Sequence, residues 1–211
     1  MNFRDRTISM LLCWLSRAVT GAGIRWVNCL PCPKQRVYYA NHSSHLDILV
    51  LWASLPREIR EVTRPAAARD YWDKSSLKRY LAKNIFNAIM IDRPGHGENK
   101  NNPYKAVEDT LDGIGEKYSL IIFPEGTRGD GEELSHFKGG IYSLAQKKTD
   151  LEFVPVYLEN LNRILPKGEF VPVPLMSSIS FGEPVILQKD EGKKEFLERT
   201  RQAIIALKEF S

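Results

Sequence analysis

Arg36-Val37-Tyr38-Tyr39-Ala40-Asn41-His42-Ser43-Ser44-His45-Leu46-Asp47-Ile48-Leu49-Val50-Leu51-Trp52 runs from an aromatic and β-branched stretch, through a polar loop, into continuously apolar sequence. It predicts a strand over 36–40 and a helix from Asp47 through Trp52. The loop between them then lies at the mouth of the fold and carries both His42 and Asp47. Five residues separate the two, which is off-register for a helix, where facing pairs sit three or four apart. A loop entering the first helical turn brings Asp47 back to His42 instead.

Outward from this unit, short β-branched runs alternate with longer helical stretches, the pattern of an α/β domain. Strands are predicted over 61–63, 88–91, 120–123, 153–158 and 178–181, and helices over 74–83, from Pro103 to about Lys117, and from Lys193 to Phe210. Pro155 argues for an end or edge position for its strand, because proline donates nothing to a ladder. In the last helix Phe196, Leu197, Ile204 and Leu207 recur on one side, as a core face requires. The proline-rich stretch 166–174 reads as a surface loop bordering the site, and Arg93-Pro94-Gly95-His96-Gly97 as a turn. No internal repeat or low-complexity segment interrupts the pattern.

At 211 residues, 43% hydrophobic and 27% charged, the chain is the size and composition of one globular domain. A net charge of +4 favours anionic ligands or surfaces but is too small to argue nucleic-acid binding. Cys13, Cys29 and Cys32 are too few for a disulfide framework. Cys29-Leu30-Pro31-Cys32 has neither a second pair nor a nearby histidine and reads as structural, in a reducing, cytoplasmic setting.

The amino-terminal stretch has no apolar run long enough for a transmembrane helix and no small-residue cleavage site. Ile8, Leu11, Leu12, Leu15 and Val19 recur at helical spacing, joined by Met10 and Trp14 and flanked by Arg4, Arg6 and Arg17. That composition suits a helix lying in a bilayer surface, with Trp26 a second interfacial anchor. The same periodicity also suits a helix packed on the core, and both readings stand.

An imidazole with a carboxylate partner is a general base: the acid fixes the tautomer, and the other ring nitrogen takes a proton from a hydroxyl. The rival reading has His42 and Asp47 merely serving the helix start. Against that rival stands a second string, Phe123-Pro124-Glu125-Gly126-Thr127-Arg128, directly after a strand. Gly126 admits a ligand close to the backbone, Thr127 offers a hydroxyl, and Arg128 offers a fork for phosphate. Glu125 cannot bind phosphate and is expected to orient Arg128 or a ligand hydroxyl. Arg93 and Lys138 are further candidate clamps, the latter at a helix start. At the ends of successive strands these cations would share one crevice.

At these residues the chain resembles the lysophosphatidic-acid acyltransferase family of glycerolipid acyltransferases. Four blocks stand in the family's order: Asn41 to Asp47, Ile91-Asp92-Arg93, Phe123 to Arg128 and Val154-Pro155-Val156. The resemblance covers roughly residues 36 to 160. It implies a single α/β domain, with a mixed, mostly parallel sheet wrapped by helices over residues 31–211 and a membrane-docking helical segment over 1–30. It implies acyl transfer from acyl-CoA or acyl-acyl-carrier protein to a lysophospholipid hydroxyl, 1-acyl-glycerol-3-phosphate by default, at the cytoplasmic face of a membrane. His42 would be the base and Asp47 its partner, while Arg93, Glu125, Gly126, Thr127 and Arg128 would hold the acceptor phosphate with Lys138 nearby. Neither a cofactor nor a metal is implied. Another lysolipid or glycerol-3-phosphate would serve the same mechanism. The rivals are a non-enzymatic phospholipid-binding protein and a metal hydrolase using His42, His45 and Asp47 with His96 or His136.

Overall fold

The computed structural model describes residues 2–92, 104–165, 173 and 175–211. Its elements, in order, are α1 (Phe3–Thr20), β1 (Gly23–Trp26), β2 (Arg36–Ala40), α2 (Asp47–Ser54), α3 (Arg57–Arg60), β3 (Thr63–Ala68), α4 (Arg69–Trp72) and α5 (Ser76–Tyr80), which runs into a π-turn over Leu81–Ile85. There follow β4 (Ile89–Ile91), α6 (Lys105–Ile114), β5 (Ser119–Ile122), α7 (Gly140–Lys147), β6 (Glu152–Glu159), α8 (Leu161–Ile164), β7 (Ser178–Phe181) and α9 (Lys193–Ala206), which ends in a 3-10 turn over Leu207–Phe210.

The strands form one sheet in the order β1-β7-β6-β2-β5-β3-β4. β6, β2, β5, β3 and β4 are mutually parallel, whereas β7 runs antiparallel to β6 and β1 parallel to β7. The expected mixed, mostly parallel sheet is what forms. Strand β2 is buried along its whole length, as a sheet covered on both faces requires. Tyr38 and Ala40 face one core with Val50 and Leu51 of α2, and Val37 and Tyr39 face the other with Ile141 of α7 and Phe196 of α9. That alternation is the period of two of an extended chain.

Helices α2 and α7 thus leave the neighbouring strands β2 and β5 toward opposite faces of the sheet. Adjacent strands whose connections diverge open a crevice at their carboxyl ends. The His42 loop follows β2 and the Arg128 loop follows β5, so both edge that crevice.

Four expectations need correction. The strand expected at 61–63 starts at Thr63 and runs through Pro65 to Ala68, its alternate residues buried. The helix expected over 74–83 shortens to α5 before the π-turn. Strand β6 is interior rather than an edge, lying between β2 and β7 despite Pro155. Phe153, two residues earlier on the same side of the strand, exchanges both backbone hydrogen bonds with Val185. The nitrogen of Pro155 therefore faces the gap where the chain leaves the ladder after Phe181 and rejoins it at Val185, so no donor is missed. Trp26 stacks on Phe181 with centroids 4.0 Å apart and is a sheet residue, not an anchor. Arg93 and His96, with the turn expected at 93–97, lie outside the described residues, as do Pro103 and all but residue 173 of the stretch 166–174 expected to be a loop.

Helix α1 turns its small and polar residues inward: Asp5, Ser9, Cys13, Ser16 and Thr20 are buried, and Ile8, Leu12 and Val19 pack at the margin. Asp5 accepts a hydrogen bond from the Tyr80 hydroxyl, which ties the helix to the end of α5. Phe3, Met10, Leu11, Trp14 and Leu15 face outward, with Trp14 69% exposed. Among the described residues no helix is long and apolar enough to cross a membrane.

Candidate active site

Asp47 is the first residue of α2 and is wholly buried. One of its oxygens, Oδ2, accepts from the Ser43 N–H at 2.7 Å and the Ser44 N–H at 2.9 Å, and lies 2.7 Å from His42 Nδ1. The loop thus folds back over the helix start, as the five-residue spacing required. A carboxylate is acceptor-only, so the neutral imidazole carries its proton on Nδ1 and keeps a lone pair on Nε2. The ring stacks on Phe123, centroids 4.3 Å apart, and its side chain retains 21% exposure. An oriented base at the rim of a crevice is the result.

Glu125 is also buried, but its oxygens are taken by backbone: Oε1 accepts from the His42 N–H at 2.7 Å and Oε2 from the Ser135 N–H at 3.0 Å. Its partner was expected to be Arg128 or a ligand hydroxyl; the backbone donors it serves carry no sequence signal. The Gly129 N–H donates to the His42 carbonyl at 2.8 Å, which closes the second loop onto the first. Asn41, which sequence reading passed over, extends the β2–β6 ladder by donating to the Leu158 carbonyl at 2.9 Å and accepting from its N–H at 2.8 Å. The histidine loop is pinned on three sides.

The cationic side is more open. Gly126 adopts φ +72°, and a Cβ there would stand 2.7 Å from Lys138 Nζ, so the lysine crosses where only glycine leaves room. Lys138 is anchored by its N–H to the Pro124 carbonyl and lies two residues before the start of α7. Thr127 is exposed and Arg128 half-buried, and among the described residues Arg128 meets no carboxylate at ion-pair distance. His42 with its partner Asp47, and the 123–128 string that carries Glu125, Gly126 and Arg128, are therefore joined at the carboxyl ends of β2 and β5 through Glu125 and Gly129, with Lys138 beside Gly126.

His45 was expected to pack against the motif loop. It points out to α4 instead, where its Nδ1 meets the Tyr71 hydroxyl at 2.8 Å. Partial burial first, then the Arg128 and Lys78 charges, hold its pKa below the usual imidazole value. Among the described residues no three histidine, cysteine, aspartate or glutamate side chains gather as a metal-ligand cluster.

The family model described as Acyltransferase matches residues 28–159, which contain all four blocks. A 1-acyl-sn-glycerol-3-phosphate acyltransferase of Chlamydomonas reinhardtii is 28% identical over 144 residues, 67% of this chain and 39% of that protein. One of Cocos nucifera is 23% identical over 98% of this chain and 62% of its own length. The chain spans less than two thirds of the length of these curated relatives. The crystal structure of the 1-acyl-sn-glycerophosphate acyltransferase from Thermotoga maritima superposes with a TM-score of 0.76 at 16% identity, covering 100% of this chain and 83% of that one, so the fold is shared. With the family model spanning well over half of its residues, the chain belongs to the acyltransferase family.

Proposed function

We propose that this chain transfers a fatty acyl group from an acyl thioester, acyl-CoA or acyl-acyl-carrier protein, to the free hydroxyl of a lysophospholipid. The default acceptor is 1-acyl-glycerol-3-phosphate, which gives phosphatidic acid. One observation carries the reading: the buried Asp47 carboxylate fixes His42 with a free Nε2, on a loop tied to the one that carries Arg128 by the Gly129 N–H. In this scheme His42 Nε2 takes the acceptor's hydroxyl proton as the oxygen attacks the thioester carbonyl carbon. The tetrahedral intermediate then collapses, the C–S bond breaks, and the imidazolium returns its proton to the leaving thiolate. Asp47 stabilises the imidazolium between those steps. No acyl-enzyme is needed, and the Ser44 hydroxyl is already directed at the Leu165 carbonyl. Arg128 and Lys138 would grip the acceptor phosphate, with Arg93 a third candidate.

The same reading puts the protein at a membrane surface, on its cytoplasmic face, as a peripheral or monotopic protein. Support comes from the outward row Phe3, Met10, Leu11, Trp14 and Leu15 on a helix whose polar side is the buried one. Arg4 and Arg6 sit on the same helix, exposed and able to meet anionic headgroups.

Incubating purified protein with a labelled acyl thioester and a panel of lysolipids and glycerol-3-phosphate, and weighing the product, tests the chemistry. Phosphatidic acid is the expected product, and no acylated product from any acceptor would reject the reading. The double substitution Trp14→Ser, Leu15→Glu alters exposed positions only and is expected to abolish cosedimentation with anionic vesicles. Unchanged sedimentation would reject the docking face.

A further inference from the structure

His45, Tyr71 and Lys78 are joined in a way the proposed transfer step does not use. The His45 and Tyr71 rings lie 5.2 Å apart and 17° from parallel, with the hydroxyl on Nδ1. Lys78 Nζ sits over the other partner, 3.8 Å from the centre of the Tyr71 ring. Tyr71 packs edge-on against Trp72, and Trp72 against the buried Phe86, so the cluster is built on the core rather than on loose surface. Its members come from three elements: the motif loop, α4 and α5.

Among the described residues Lys78, like Arg128, has no carboxylate at ion-pair distance. Neighbouring cations on the same elements behave differently, since Arg69 pairs with Asp92 and Arg79 with Asp73. Both unneutralised charges act on His45, from Lys78 on one element and Arg128 on another, with His42 and Asp47 beside it on its own loop. When the tyrosine hydroxyl donates to Nδ1, the neutral imidazole presents Nε2–H as a donor. A lysine ammonium and an imidazole N–H with no built-in anion form a site for an acidic oxygen group.

We propose that His45, Tyr71 and Lys78 form a second recognition arm, on the same loop as His42 and on the elements packed against it, that takes a phosphate group. That group is carried either by the lipid acceptor or by the acyl donor. The kinetic part of this inference rests on the acyl-transfer reading, whereas the binding part does not.

The variants are Lys78→Ala, Tyr71→Phe and His45→Ala. Losing a charge-assisted hydrogen bond of about 1.5–3 kcal/mol corresponds to a rise of about 10–100-fold in a dissociation constant. Binding is followed by tryptophan fluorescence, with Trp72 in contact with Tyr71, during titration with lysophosphatidic acid, with coenzyme A and with phosphate-free monoacylglycerol. Lys78→Ala is expected to weaken binding of whichever of lysophosphatidic acid and coenzyme A the arm holds, and not of monoacylglycerol. Turnover is then measured with acyl-CoA and with an acyl N-acetylcysteamine thioester, which has no phosphate. A raised acceptor KM with both donors assigns the phosphate to the acceptor, and a raised donor KM seen only with acyl-CoA assigns it to the donor. Phosphate-dependent binding lost in Lys78→Ala without any wild-type turnover would keep the arm and remove the acyl-transfer reading. Wild-type affinities and KM values in Lys78→Ala and His45→Ala, with turnover intact, would overturn the arm.

Discussion

The two loops that meet at the crevice are built in opposite ways. In the histidine loop, Asp47 holds the Ser43 and Ser44 N–H groups, Glu125 holds that of His42, and Asn41 clasps Leu158. The arginine loop instead exposes Thr127 and Gly126 and leaves Arg128 without an acidic partner among the described residues. The first loop's polar groups are spent on geometry, with Glu125 of the other string among their partners, while in the proposed reading Thr127 and Arg128 are kept for an anion. A base requires fixed orientation, because a small misplacement of Nε2 costs much of its rate effect. A phosphate clamp requires donors that nothing else has neutralised.

The largest effects therefore belong to the fixed loop. His42→Ala should lower turnover by about 10²–10⁴-fold, the worth of a general base, with unchanged far-UV circular dichroism. Asp47→Asn should lose a similar factor, because the amide no longer forces the proton onto Nδ1. It should also lose about 1–3 kcal/mol of stability, read by denaturant unfolding, since a buried acceptor of three hydrogen bonds is disturbed. Turnover in either variant close to wild type would break the contrast at its base.

The open loop should respond in binding rather than in chemistry. Arg128→Ala is expected to raise the acceptor KM by about 10–100-fold, with a smaller change in kcat and no loss of stability. Arg128→Lys should restore only part of this, because an ammonium lacks the planar fork. A variant that unfolds more readily yet keeps its KM would mean that this loop, too, spends its cation on structure.

Much of this contrast was legible in the sequence because it follows from local pattern. The 36–52 unit was readable since an aromatic and β-branched strand, a polar loop and an apolar helix each announce themselves, and residue types alone named His42, Asp47 and Arg128. What the sequence hid depends on contacts between distant segments. Nothing in Tyr71 signals that it will meet His45 across 26 residues, nor in Glu125 that it will serve backbone donors. Strand β1 escaped notice because Gly23 to Trp26 lie at the sheet edge, largely exposed and without alternating burial. Helices α1 and α9 carry similar apolar periodicity, yet α9 buries Phe196 and Ile204 while α1 exposes Trp14 and Leu15. Periodicity finds a face but not which side the domain covers.

The smallest effect tests the joint between the loops. At Gly126 a side chain meets both a left-handed backbone, at φ +72°, and the lysine crossing it. Gly126→Ala should cost about 1–2 kcal/mol from the backbone alone. Lys138 can swing away, because its far end is flexible and solvent-exposed, so the steric part is small. The loss should appear as a modest fall in melting temperature and a few-fold rise in acceptor KM, with kcat nearly unchanged because Asp47 holds the His42 ring from its own loop. If kcat fell with KM, the arginine loop would be holding the base in register through the Gly129 N–H to the His42 carbonyl, and the two loops would act as one unit.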